Sequence, residues 1–256
     1  MRPYLFSSAP SSFNVPSPRH LSITYDMILH IIVLTGISSV EMTLAQKIAV
    51  WALPVLFAIT LHEVAHGWVA SKLGDQTAKL SGRLSLNPLR HIDLVGTVLL
   101  PILLLATTGF IFGWAKPVPV DYRNLHKPRR DMALVAIAGP LSNLLMACIW
   151  ACIAKIGVML IAQSPWIAVP LTYMGEAGIM INVVLAILNC IPLVPLDGGR
   201  VLAALLPPKL AWYNARLEPY GFLILVLLIF TGILSFIINP PIMLISQGIA
   251  NIFGLP

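Results

Sequence analysis

Long apolar stretches dominate this chain, and short polar segments between them carry most of its charge. Ile48 to Leu73 is long enough to cross a bilayer as a helix, which takes about 20 apolar residues. Gly74-Asp75 ends it, and Pro54 predicts a kink inside it. Further apolar stretches run from Leu94 to Phe112, interrupted by Pro101 and two glycines, from Met132 to Ala162, and from Gly175 to Leu196. The last of these is broken near its end by Pro192 and Pro195. Tyr220 to Ile238 follows, with Pro240-Pro241 expected to stop it before a short apolar tail. Ile28 to Val40, at about 13 residues, is short for a full crossing and needs help from its flanks. An open strand cannot survive in lipid, so the long stretches read as helices.

The expected fold is therefore an all-α, polytopic membrane helical bundle. Residues 1–25, polar and rich in Ser and Pro, read as a disordered tail, with Met27 and Met42 as alternative starts. Residues 26–47 read as a candidate first membrane helix and linker, 48–206 as the core, and 207–256 as a C-terminal membrane helix with its tail.

Composition sharpens this picture. Only 10% of the 256 residues are charged, against about 25% in a soluble domain, and mean hydropathy is +0.88. Such a chain cannot hide its apolar surface in its own core, so the lipid bilayer is much of its solvent. The net charge of +6 resides in the short connecting segments, where it orients the chain by the positive-inside rule. No aromatic and basic residues interleave as on a nucleic-acid surface, which excludes a nucleic-acid partner. Cys148, Cys152 and Cys190 all lie in apolar stretches. Three buried thiols do not make a disulfide framework, and they read as packed or lipid-facing residues.

The strongest chemical signal is His62-Glu63-Val64-Ala65-His66. Residues four apart share one helix face. Both imidazoles can then bind one zinc ion, with the adjacent glutamate in reach of its water as general base. Ionisable groups inside a membrane helix cost about 2.5 kcal/mol or more each, so they point to function by default. A catalytic zinc site usually has three protein ligands and one open position. Glu176 and Asp197 are the candidates for the third. Asp197 follows a stretch broken by two prolines and precedes Gly198-Gly199, a geometry able to turn a carboxylate toward a neighbouring helix. Spacing alone leaves it equally readable as a surface acid paired with Arg200.

The two segments together resemble the site-2 protease family of intramembrane metalloproteases. That family joins an HExxH on one membrane helix to an NxxPxPxLDG on a later one. Here HEVAH at 62–66 and NCIPLVPLDG at 189–198 match every fixed position, and Gly139-Pro140-Leu141-Ser142-Asn143 resembles a further family feature on the intervening helix. The likeness covers about Ala49 to Arg200 and is closest to the compact branch without a PDZ domain. It implies one catalytic zinc held by His62, His66 and Asp197. It also implies that Asn143 and Asn189 hold an extended substrate or stabilise the oxyanion, and that Gly113–Pro119 forms a strand-like edge near the site. The substrate it implies is a transmembrane protein.

Topology gives an independent expectation. His66 and Asp197 must meet at one depth, so their helices should run in the same direction with one crossing between them. Two apolar stretches intervene. The 94–112 stretch has Lys72, Lys79, Arg83 and Arg90 before it and Lys116, Arg123, Lys127, Arg129 and Arg130 after it. Both flanks then face the cytoplasm, and the stretch is expected to be re-entrant. The expected location is a bacterial inner membrane with the active site toward the cytoplasm. A metal transporter or scaffold would use the same ligands but would not need Glu63.

Overall fold

The computed structural model describes residues 42–99 and 116–255. The candidate helix at 28–40 and most of the 94–112 stretch lie outside the described residues. The described residues form helices and loops without strands: α1 (Leu44–Lys72), α2 (Thr77–Leu80), α3 (Pro128–Leu160), α4 (Pro165–Asn189), α5 (Asp197–Leu205), α6 (Pro208–Arg216), α7 (Glu218–Phe230) and α8 (Ile233–Phe253). Of these, α1, α3, α4 and α8 are long and apolar enough to cross a bilayer, while α6 and α7 are bent 65° from each other at their junction.

Local chemistry sets the ends. Thr43 opens α1 with a capping box: its hydroxyl accepts from Gln46 N–H while the Gln46 side chain accepts from Thr43 N–H. Pro128 and Pro165 stand in the first turns of α3 and α4, where a missing N–H costs nothing. That start puts α4 about ten residues earlier than the apolar pattern from Gly175 alone suggests. Gly232, at φ 74°, separates α7 from α8. Pro240 and Pro241, expected to stop the last membrane helix, instead lie inside α8. The correction has a physical basis: a membrane helix tolerates the few carbonyls its prolines leave free, whereas a left-handed glycine ends a helix outright.

Contacts between named residues give the directions of the helices. Val135 of α3 meets His66 of α1, and Asn143, two turns further along, meets His62 and Ala58. Thus α3 runs antiparallel to α1. Asn143 also meets Asn182, Gly178 faces Trp150 and Gly175 faces Ala154, so α4 runs antiparallel to α3. Hence α1 and α4 run the same way, and among the described residues α3 is the one membrane-length helix between them, in keeping with the depth argument. A β-carbon at Gly175 would come within 2.6 Å of the Ala154 Cα, the close backbone approach typical of membrane helix pairs. Trp150, Met146, Ile179 and Val183 pack there with Ile242 and Ile249 of α8. Lys155 Nζ donates to Gly254 O, so α8 ends beside the far end of α3.

The connecting segments are tied together. Lys116 N–H donates to His91 O at 2.9 Å, which ties the loop carrying Val118 to the loop before Leu94. Asp75, fully buried, accepts from Thr77 N–H and hydroxyl, the Asn124 amide and Asp121 N–H. Burial raises its pKa, but these four hydrogen bonds outweigh burial and hold the carboxyl below its usual range. Asp75 thereby pins the loop before α3 to the end of α1.

Candidate metal centre

The HEVAH segment begins about three turns before the end of α1, and its geometry follows from helical spacing. His62 and His66 face the same way, with Nε2 atoms 3.0 Å apart and rings perpendicular at 87°. The structure brings Asp197, not Glu176, to them. Asp197 Oδ2 lies 3.2 Å from each Nε2, and all three residues are buried. Glu176 is on α4 with its Oε2 buried and unbonded. Cys148, Cys152 and Cys190 are free thiols outside this group.

Asp197 is not at the end of a membrane helix, as the depth argument assumed. It is the first residue of α5, after the break at Cys190–Leu196. The two following glycines make that break compact. A β-carbon at Gly198 would run into the carbonyls of Cys190 and Ile191, and one at Gly199 would strike the Leu193 and Val194 backbone. The start of α5 therefore packs directly on the loop that delivers it, and the Asn214 amide of α6 fastens Gly199 O at 3.1 Å.

Three observations show that the group fits a zinc ion. Ligands of a tetrahedral zinc at about 2.0–2.1 Å stand about 3.3 Å apart, and the three donor atoms are separated by 3.0, 3.2 and 3.2 Å. Asp197 Oδ2 is buried and makes no well-formed hydrogen bond despite two nearby nitrogens, which is the arrangement of lone pairs converging on a cation. Each imidazole also uses its other nitrogen away from the cluster. His66 Nδ1 lies 2.7 Å from Val135 O and His62 Nδ1 2.6 Å from Asn143 Oδ1, the outer partners that metal-bound histidines generally have.

Gly139 of α3 shapes the cradle. A β-carbon there would strike His66 Nε2 and lie 2.5 Å from His66 Cε1 and 2.6 Å from His62 Cε1. Gly139→Ala is therefore expected to displace both rings and weaken zinc binding by more than tenfold, read as metal retained after dialysis against a chelator.

Glu63, half-buried, points at the loop that begins at Lys116: Val118 N–H donates to its Oε2 at 2.7 Å. Pro117 and Pro119 flank Val118 and have no N–H to offer, so this bond is the single donor of that tripeptide. The described part of the expected edge, Lys116–Pro119, is irregular backbone without strand pairing. Asn143 is fully buried and bonds Ala58 O, Asn182 and His62. Asn189 is half-buried and donates to Leu185 O one turn back. Sequence reasoning missed Asn182 and the Val135 carbonyl, and noted Gly139 only as part of the segment that carries the family resemblance. An amide within an otherwise apolar helix was the one available signal, for Asn182.

Helices of membrane length thus bring together a His-His-Asp group able to hold a metal, with both histidines from one HExxH helix, which is the donor set of a membrane metalloprotease. Comparison with known proteins agrees. The chain is 37% identical over 204 residues to "Putative zinc metalloprotease YwhC" of Bacillus subtilis, covering 78% of this chain and 89% of that protein. It is 31% identical over 181 residues to a similarly named Rip2 of Mycolicibacterium smegmatis, covering 70% and 66%. Zinc metalloprotease MJ0392 of Methanocaldococcus jannaschii is 27% identical over 203 residues, which are 77% of this chain and 45% of that protein. The chain thus belongs to the zinc metalloprotease family of YwhC, and zinc is the metal that family implies. No family model matches the chain, and no solved structure matches it significantly.

Proposed function

We propose that this chain is an intramembrane endopeptidase of the site-2 protease type, hydrolysing peptide bonds in or beside a membrane helix of its substrate. The observation that carries the reading is the meeting of His62, His66 and Asp197 among helices of membrane length. When bound there, zinc supplies a Lewis acid for the scissile carbonyl and lowers the pKa of water toward about 7.

The chain's own residues do the rest. Glu63 takes a proton from the attacking water and delivers it to the leaving amide nitrogen, so that water's hydroxyl ends on the acyl carbon and its proton on the new amine. The Val118 N–H holds one carboxylate oxygen and leaves the other for that proton. Of the two asparagines offered by the family resemblance, Asn143 has its amide committed to His62, Ala58 and Asn182, which suits it to holding the ligand. Asn189, at the end of α4, is left to bind the unwound substrate or the oxyanion. The Lys116–Val120 backbone passing Glu63 supports substrate binding alongside it by strand addition. The basic segments on both flanks of the 92–115 stretch support a cytoplasmic-side site in a bacterial cell membrane.

The test is cleavage of a protein with one membrane helix by the purified full chain in lipid vesicles. Cleavage should fall to background with 1,10-phenanthroline and return with added zinc. Mass spectrometry should place the new termini in or next to the apolar segment. Cleavage that ignores the chelator, or no cleavage by zinc-loaded protein across a panel of such substrates, would count against the reading.

A further inference from the structure

We infer that Asn182 is a positioning residue which fixes, through Asn143, the nitrogen that His62 presents to the metal. The inference rests on the metal reading above and adds residues to it.

The two histidines are held by different means. His66 Nδ1 faces a helix carbonyl, Val135 O. A carbonyl only accepts, so His66 must carry its proton on Nδ1 and offer Nε2. His62 Nδ1 instead faces the side chain of Asn143. A side-chain amide offers an oxygen on one side and an NH2 on the other, and a half-turn exchanges them. Left to itself, Asn143 would accommodate either tautomer of His62.

Its orientation is set from α4 together with the Ala58 carbonyl of α1. Asn182 Nδ2 donates to Gly178 O at 2.8 Å. That carbonyl is acceptor-only, so Asn182 must turn its Oδ1 toward Asn143. Asn143 Nδ2 then donates to Asn182 Oδ1 at 2.9 Å and to Ala58 O at 3.1 Å. Both of its N–H groups are used, and its Oδ1 is left facing His62 Nδ1 at 2.6 Å. A flipped Asn143 would set its oxygen against two acceptors at once. Asn143 and Asn182 are fully buried, so no water can repair that clash. The polarity of the α4 backbone is thus passed through two amides to His62, which keeps its proton on Nδ1 and its Nε2 lone pair toward His66 and Asp197. Asn182 touches neither metal nor substrate and acts entirely through Asn143.

The experiment uses the full chain in detergent, wild type and Asn182→Leu, with zinc affinity measured by chelator competition and the site's geometry by the visible spectrum of the cobalt(II)-loaded protein. Zinc affinity should fall about 10–100-fold in the variant, with a shifted cobalt spectrum and unchanged helix content by circular dichroism. Equal affinity and an identical cobalt spectrum would overturn the inference while leaving the metal site intact. Should Asn182→Leu fail to fold, nitrogen-15 imidazole shifts of the zinc-loaded wild type decide: His62 protonated on Nδ1 and metal-bound at Nε2 supports the inference, and metal at Nδ1 overturns it. Wild-type protein that holds no zinc at all overturns the metal reading, and this inference falls with it.

Discussion

Glu63→Gln should retain zinc and lose peptide cleavage by about 10²–10⁴-fold, the range general acid–base catalysis supplies. That range corresponds to about 2.7–5.4 kcal/mol of barrier. Glutamine keeps the length and shape of the side chain, and its amide oxygen can still accept the Val118 N–H that now reaches Oε2. The loop that carries Val118 therefore has no reason to move. His62, His66 and Asp197 make no hydrogen bond to Glu63 among the described residues, so the ligands should keep their places. What an amide cannot do near neutral pH is accept a proton from water and return it to the leaving nitrogen. Metal content by mass spectrometry and single-turnover cleavage rates, measured on the same preparation, separate the two effects. Cleavage within tenfold of wild type would remove Glu63 from the chemistry. Loss of zinc along with activity would make Glu63 a structural support for the site.

The residues that could be read from sequence are those whose partners are local. HEVAH was legible because i, i+4 spacing on one helix already places two imidazoles side by side. The membrane bundle was legible because apolar length is a property of a single stretch. The third ligand stayed open between a metal carboxylate and a surface acid until the family resemblance was added, because what brings Asp197 to the histidines is the tight packing of Gly198 and Gly199 on the preceding loop. That packing is a tertiary contact which no spacing encodes. Asn143 is offered by the family resemblance as a substrate or oxyanion residue, but its attachment to His62 depends on the register of α3 against α1, and that of Asn182 on the register of α4 against α3. Registers of that kind are set by small-residue contacts such as Gly139 on the histidine rings and Gly175 on Ala154. The break in the C-terminal region was misplaced for a simpler reason: two adjacent prolines outweighed one glycine in the sequence pattern, while in lipid the left-handed Gly232 proved the stronger interruption.

Asp197→Ala should abolish stoichiometric zinc binding, whereas Glu176→Ala should leave it unchanged. Many HExxH enzymes take a glutamate as third ligand, and Glu176 is the only other acid in an apolar stretch that could play that part. The geometry separates them. Asp197 Oδ2 stands 3.2 Å from both Nε2 atoms and is unbonded otherwise. Glu176 lies on the α4 turn after Gly175, which packs on Ala154, some four turns before the metal-side end of that helix. Removing an outer partner of a metal ligand costs about 10–100-fold in affinity, and removing one of three ligands outright should cost more. The fold should survive. Asp197 sits in the first turn of α5, where a carboxylate contributes only about 0.3–1 kcal/mol through the helix dipole. Two facing imidazoles without the acid and without a metal also do not repel as charges while neutral. Retention of the helical circular dichroism signal together with loss of zinc would assign the effect to the lost ligand. Zinc kept in Asp197→Ala and lost in Glu176→Ala would require α4 to present a different face to α1, and with it a different register for Asn143 and Asn182.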